Sequence, residues 1–247
     1  MALLALFLPH LMAASLVVVA VGFPRRASST RRASRLRRYW HTMRWQWLCV
    51  ALLVTAIPLA EILTLTRTAA STLFPAPALW FIVLGNLLLL MYAPIALAWV
   101  RPRLRHSLLA PFVRVRVWLP QTLRERTTWI LLSMTTGICE EILFRGFALH
   151  YLMHGPLGLN LPLSIIIACL LFGLGHRYQG WRGMLQTCCF GAVMSGLFVA
   201  TGSLLLPIVV HILVNLRIAL LPPSYAHHHP TIGDLRPPTA HEAPKFA

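Results

Sequence analysis

"CEEILFRG", Cys139 to Gly146, sets two adjacent glutamates and an arginine inside an otherwise apolar run. Each such group costs about 2.5 to 3.5 kcal/mol at the centre of a membrane helix, so three approach ~10 kcal/mol before any pairing. The rest of the chain decides whether a membrane is the right reference. Of its 247 residues, 57% are hydrophobic and 11% charged, with mean hydropathy +0.70. Soluble domains carry about a quarter charged residues. The composition predicts an all-α fold, one polytopic bundle of transmembrane helices rather than two soluble domains.

Twenty-two Lys and Arg oppose six Asp and Glu, a formal charge of +16. In a soluble protein that balance would suggest nucleic acid. Here eight arginines fall between Arg25 and Arg44 and seven between Arg101 and Arg126, each block between apolar runs. That is the pattern of cytoplasmic loops. Contact with the anionic bilayer surface accounts for it, and no nucleic-acid partner is expected. The cysteines (Cys49, Cys139, Cys169, Cys188, Cys189) all lie in apolar segments, so they imply no disulfide framework and read as small buried hydrophobes.

The apolar runs predict about seven spans: Ala2 to Phe23, Trp45 to Leu65, Leu79 to Val100, Thr127 to Tyr151, Leu161 to His176, Met184 to Ala200, and Leu204 to Leu221. The first lacks a charged segment before it and is followed by arginines, which favours a retained helix over a cleaved signal. "PFVRVRVWLP" in the basic 101–126 loop reads as interfacial. From Pro222 onward the chain is rich in Pro and His and reads as a disordered tail. The organisation expected is therefore N-terminal membrane helices with two basic loops (1–126), a membrane core carrying the buried polar groups (127–221), and the tail (222–247). Charge placement puts loops 24–44, 101–126 and 177–183 inside, 152–160 and 201–203 outside, the N-terminus outside and the C-terminus in the cytoplasm.

Helical geometry sorts the opening motif. Glu141 and Arg145 are four apart, one turn above each other, and form an internal ion pair. Glu140 is rotated about 100° away and is left free of it. A carboxylate with no structural partner inside a bundle is a candidate general base. Two further helices carry polar groups. "FGLGH" ends the fifth span on His176, four residues after Phe172. "HILVN" places His211 and Asn215 one turn apart on the seventh. Intramembrane ionisable groups face the bundle interior, so convergence of these residues on one cavity is the economical arrangement.

The ordered set Glu-Glu-x-x-x-Arg, Phe-x-x-x-His and His-x-x-x-Asn resembles the CPBP family of glutamate-dependent intramembrane proteases. That family includes CAAX prenyl endopeptidases and bacteriocin-processing, Abi-like relatives. The likeness covers about Ile138 to Asn215. It implies that Glu140 activates a water for attack on a peptide carbonyl and that His176 holds or polarises that water. It further implies that His211 and Asn215 stabilise the oxyanion, while Glu141 and Arg145 fix the cavity. The substrate implied is a membrane-anchored or lipidated peptide or protein, prenylated in the CAAX-type case. Short loops rich in arginine point to a prokaryotic cytoplasmic membrane.

Zinc on Glu140, His176 and His211 is the alternative to a water activated directly by Glu140. No His-Glu-x-x-His occurs, and Asn215 suits oxyanion donation better than ligation, so no obligatory cofactor is expected. Other protease classes fare worse. An aspartyl enzyme needs two membrane aspartates, and the one Asp is Asp234 in the tail. Ser195 with His211 would make a serine dyad, but "VMSG" reads as helix packing. A non-catalytic binding, immunity or transport protein could use the same cavity, and Glu61 on the second span gives that reading some support. One geometric tension remains. Counted at 1.5 Å per residue, Glu140 lies about 20 Å from the inner face and His176 roughly as far from the outer one. Either 152–160 folds into the membrane or the fourth helix departs from a straight rod.

Overall fold

The computed structural model describes residues 10, 13, 14, 32–56 and 77–222. Most of the expected first span, residues 57–65 of the second with Glu61, and the tail beyond Pro222 lie outside the described residues. What is described is helical, with no strand among the described residues.

Helix α1, Arg32–Ala56, begins within the first arginine block rather than at Trp45. This corrects the expected 24–44 loop, and the cause is tertiary. Arg35 and Tyr39 are buried. Arg35 donates from Nε to Glu125 Oε1 at 3.0 Å and from Nη2 to Gln121 Oε1 at 2.9 Å, and the Tyr39 hydroxyl donates to the Trp118 carbonyl. Partners from the second basic segment thus hold the polar half of α1 as helix. Helix α2, Pro77–Val100, matches the third expected span. The interfacial stretch forms a 3-10 turn at Pro102–Leu104, a short α3 (Arg105–Leu109) and a 3-10 run at Ala110–Trp118. Its alternating Val and Arg make no strand.

The fourth expected span is one continuous helical run in three parts. Helix α4, Leu123–Glu141, is followed by a π-helical segment, Ile142–Ala148, and by α5, Leu149–His154. The π segment starts immediately after the two glutamates, and such i→i+5 turns are frequent at functional sites. The 155–160 turn closes with Leu159 N–H donating to the Leu152 carbonyl at 2.9 Å. Helix α6, Leu161–Gly175, is capped by Asn160, whose Oδ1 accepts from Leu163 N–H at 3.0 Å. A 3-10 turn at Arg177–Gln179 leads into α7, Gly180–Thr201. Gly202, at φ +64°, ends α7 in the left-handed conformation that glycine adopts without steric cost. Helix α8, Leu205–Leu216, continues as a 3-10 turn over Arg217–Leu220.

Val50 and Leu53 of α1, Cys139, Leu143 and Phe147 of the fourth run, Ala168 of α6 and Phe198 of α7 form the main core. A second cluster joins Met194 and Leu197 of α7 to Val210 and Val214 of α8, with Trp80 and Met91 of α2 against it. The outer faces are apolar too, with Leu79, Ile82, Leu89, Leu90, Met134, Ile166 and Leu170 exposed. An apolar outer surface on this scale belongs against lipid. Among the described residues, Ile82–Val100 and Arg177–Thr201 are long and apolar enough to cross a membrane; Leu161–Gly175 and Leu205–Leu220 are apolar but shorter.

The start of α4 carries a reciprocal cap that the sequence announces as Thr-x-x-Glu. Glu125 N–H donates to Thr122 Oγ1, and Glu125 Oε2 accepts from the N–H groups of Thr122 and Gln121. Burial works to raise the Glu125 pKa. The Gln121 N–H, the Arg35 guanidinium and the Thr122 N–H outweigh it and hold the carboxyl below its ordinary value of 4.5. A carboxylate lowered on folding stabilises the fold above its unfolded pKa, and that contribution is lost as pH falls through the lower folded value. In detergent, wild-type melting should therefore drop as pH falls below 4.5. Glu125→Gln should start less stable and lose less over that window. An equal acid loss in both proteins would remove this cluster as the cause.

Candidate active site

Two glycines bring the polar groups together. A Cβ at Gly137 of α4 would lie 2.5 Å from Ile212 Cγ1 and 3.0 Å from Ile212 N, so α8 approaches α4 where only hydrogen fits. At Gly191 of α7 a Cβ would lie 3.1 Å from Arg145 Nη2 and 3.2 Å from the Phe172 ring. The residue before Ile212 is His211, so the first close approach carries that imidazole to the glutamates.

Arg145 donates from Nη1 to Glu141 Oε1 at 3.0 Å and from Nη2 to the Gly191 carbonyl at 3.2 Å. Its guanidinium lies 4.5 Å above the Phe172 ring. The side chains of Arg145 and Glu141 are 2% and 0% exposed, so the pair expected from the i,i+4 spacing is fully desolvated. Glu141 Oε1 is also 2.6 Å from His211 Nδ1. An ionised carboxylate only accepts, so Nδ1 carries the proton and donates. That bond turns Nε2 toward Glu140, whose Oε2 is 3.7 Å away.

Glu140 is held differently. Its Oε1 accepts from Gln46 Nε2 on α1 at 2.9 Å. Its Oε2 is buried and has no hydrogen-bond partner among the described residues. The helical-angle argument thus separates the two carboxylates as it should. Glu141 takes an arginine and a histidine on Oε1, Glu140 takes only a neutral amide on Oε1, and the Oε2 of each is buried without a hydrogen-bond partner among the described residues.

His176 caps the end of α6, with Nδ1 2.9 Å from the Phe172 carbonyl, an acceptor that fixes the proton on Nδ1 and leaves Nε2 open. It makes no ion pair or hydrogen bond to Glu140 among the described residues. Phe172 connects it to the rest, since its ring centroid is 4.9 Å from His176 and 6.1 Å from His211. Asn215 stands one turn beyond His211 on α8, and its backbone carbonyl accepts from Trp129 Nε1 at 3.0 Å. Its carboxamide makes no hydrogen bond among the described residues. Four of the six candidates, Glu140, Glu141, Arg145 and His211, therefore form one contact chain. His176 joins through an aromatic ring, and Asn215 stands beside it. Ser195 is buried with Oγ 3.9 Å from Cys169 Sγ and makes no hydrogen bond to His211 among the described residues, which favours packing.

Residues 122–217 match the family model described as Type II CAAX prenyl endopeptidase Rce1-like. This part of the chain is similar to the Rce1-like family. No curated protein and no solved structure matches the chain. The Rce1-like segment contains all six sequence-derived candidates. Gln46 lies outside it, and sequence reading passed over it. Its signal was modest: one amide in "WQWLCVALLV", at the head of an apolar run.

No three His, Cys, Asp or Glu side chains among the described residues gather as a metal-ligand set. His211 commits Nδ1 to Glu141 and His176 commits Nδ1 to Phe172, so each has only Nε2 to offer. Nε2 is the atom through which a histidine so bonded would hold zinc, but Glu140, His176 and His211 do not gather as one set among the described residues.

The Gly137 contact gives a direct test. Gly137→Val should push α8 off α4, costing about 1–3 kcal/mol as overpacking does, and should separate His211 from Glu141. Reduced melting in detergent with a fall in cleavage is expected. Unchanged stability and turnover would show that the close approach does not position His211.

Proposed function

We propose that this chain is an intramembrane endopeptidase in which Glu140 activates a water to hydrolyse a peptide bond of a membrane-anchored or lipidated substrate. The observation that carries the reading is Glu140 Oε2, buried without a hydrogen-bond partner 3.7 Å from His211 Nε2, while Arg145 and His211 both bond to Glu141. Glu140 takes a proton from water as the water oxygen bonds to the carbonyl carbon. When the tetrahedral adduct collapses the C–N bond breaks, and the same carboxyl returns the proton to the leaving nitrogen. His176 Nε2 steadies the water. The Asn215 carboxamide donates to the carbonyl oxygen as it becomes an oxyanion, and His211 Nε2 joins it as a second donor when the imidazole carries both protons. Glu141 and Arg145 hold His211 in register.

The same reading places about seven helices across a prokaryotic cytoplasmic membrane, with the N-terminus outside and the arginine blocks inside. The exposed apolar faces of α2 and α6 and the basic loops support it. The substrate's anchor or lipid then reaches the site through the bilayer.

No metal is obligatory in this scheme. Purified protein in proteoliposomes should cleave a membrane-anchored peptide after exhaustive chelation and carry well under one equivalent of zinc. Activity lost on chelation and restored by zinc alone would overturn direct water activation. Absence of cleavage of any membrane peptide, read by comparing peptide termini with and without the protein, would overturn the peptidase.

A further inference from the structure

Among the described residues, the amide of Gln46 is the one polar side chain from outside the Rce1-like segment that hydrogen-bonds to the glutamate pair, and nothing in the three sequence motifs accounts for it. It sits on α1 among Trp45, Trp47, Leu48 and Cys49 and donates to Glu140 Oε1 at 2.9 Å. A carboxylate only accepts, so chemistry fixes the amide orientation, with Nε2 toward Glu140 and Oε1 away. Gln46 Oε1 is buried with no hydrogen-bond partner among the described residues, and so is Glu140 Oε2. A buried amide kept for packing satisfies both its ends, because an unmet polar group costs about 1–3 kcal/mol. Here one hydrogen bond joins two side chains, each of which keeps a buried acceptor open. That is the arrangement expected where a donor, water or a peptide N–H, enters during the reaction.

We propose that Gln46 is a positioning residue for Glu140: its amide occupies Oε1, fixes the carboxylate rotamer and leaves Oε2 alone to receive the proton. The inference rests on the peptidase reading and extends the machinery to the N-terminal helices. Helix α1 then completes the site as well as packing against α4, so the Rce1-like segment alone lacks a part of it.

Loss of the amide leaves substrate binding intact and misaims the base. Gln46→Leu should lower kcat roughly 10- to 100-fold, the range that misplacement of a reacting group produces, with KM unchanged. Melting in detergent should fall only as far as the loss of one hydrogen bond to the carboxylate entails, and the fall in kcat should persist well below the melting transition. Gln46→Met, unbranched and closer in shape, carries the test if Gln46→Leu does not accumulate. In a Glu140→Gln background, Gln46→Met should add no further loss, because both changes act through the same carboxylate. A kcat within about twofold of wild type overturns the proposal while the peptidase stands. So does a rise in KM at constant kcat, which makes Gln46 a substrate contact. Failure of wild type itself to cleave removes the peptidase reading first, and this inference with it.

Discussion

Glu140→Gln should cut peptide cleavage by at least ~10²-fold, the lower end of what a positioned general base contributes, while the protein accumulates and melts as wild type does. The substitution keeps size and removes only the capacity to take a proton. It also spares the structural network, because Arg145 and His211 bond to Glu141 and not to Glu140. The Gln46 donor keeps an acceptor, since the carbonyl oxygen of the introduced amide takes the place of Oε1. Cleavage and thermal stability should therefore separate cleanly. Turnover within a few-fold of wild type would take Glu140 out of the mechanism. A protein that fails to assemble would make it a structural carboxylate and favour the non-catalytic reading.

Arg145→Ala should fail for the opposite reason. It strands Glu141, fully buried, with His211 as its remaining partner, and removes the guanidinium's tie to the Gly191 carbonyl. Breaking a buried pair costs about 3–5 kcal/mol, against a total stability of order 5–15 kcal/mol. The expected result is poor accumulation in the membrane and a large fall in melting temperature. Arg145→Lys should recover only part of this, because an ammonium serves Glu141 but lacks the planar fork that reaches Gly191 at the same time. A stable Arg145→Ala protein that is merely inactive would show that Arg145 contacts substrate.

The Glu141–Arg145 pair and the separate standing of Glu140 were legible in the sequence because both depend on local geometry. Four residues make a turn and one residue makes 100°, whatever surrounds the helix. The all-helical class, the ends of α2, α6 and α8 to within a few residues, and the order of the three motifs follow from apolar periodicity and composition in the same way.

The tertiary structure decided the rest. Arg32 to Arg44 reads as a loop because arginines so dense have no apolar face. It is helix because Glu125, Gln121 and the Trp118 carbonyl, 79 to 90 residues away, take Arg35 and Tyr39. The π segment after Glu141 has no sequence signature, since Ile142 to Ala148 fits an ordinary helix equally well. Which carboxylate His211 would bond, and that Gln46 would reach the other, depended on how closely α8 and α1 approach α4. The α8–α4 approach is set at Gly137 with Ile212 opposite it, and a linear sequence gives spacing along a helix but not the partner across it.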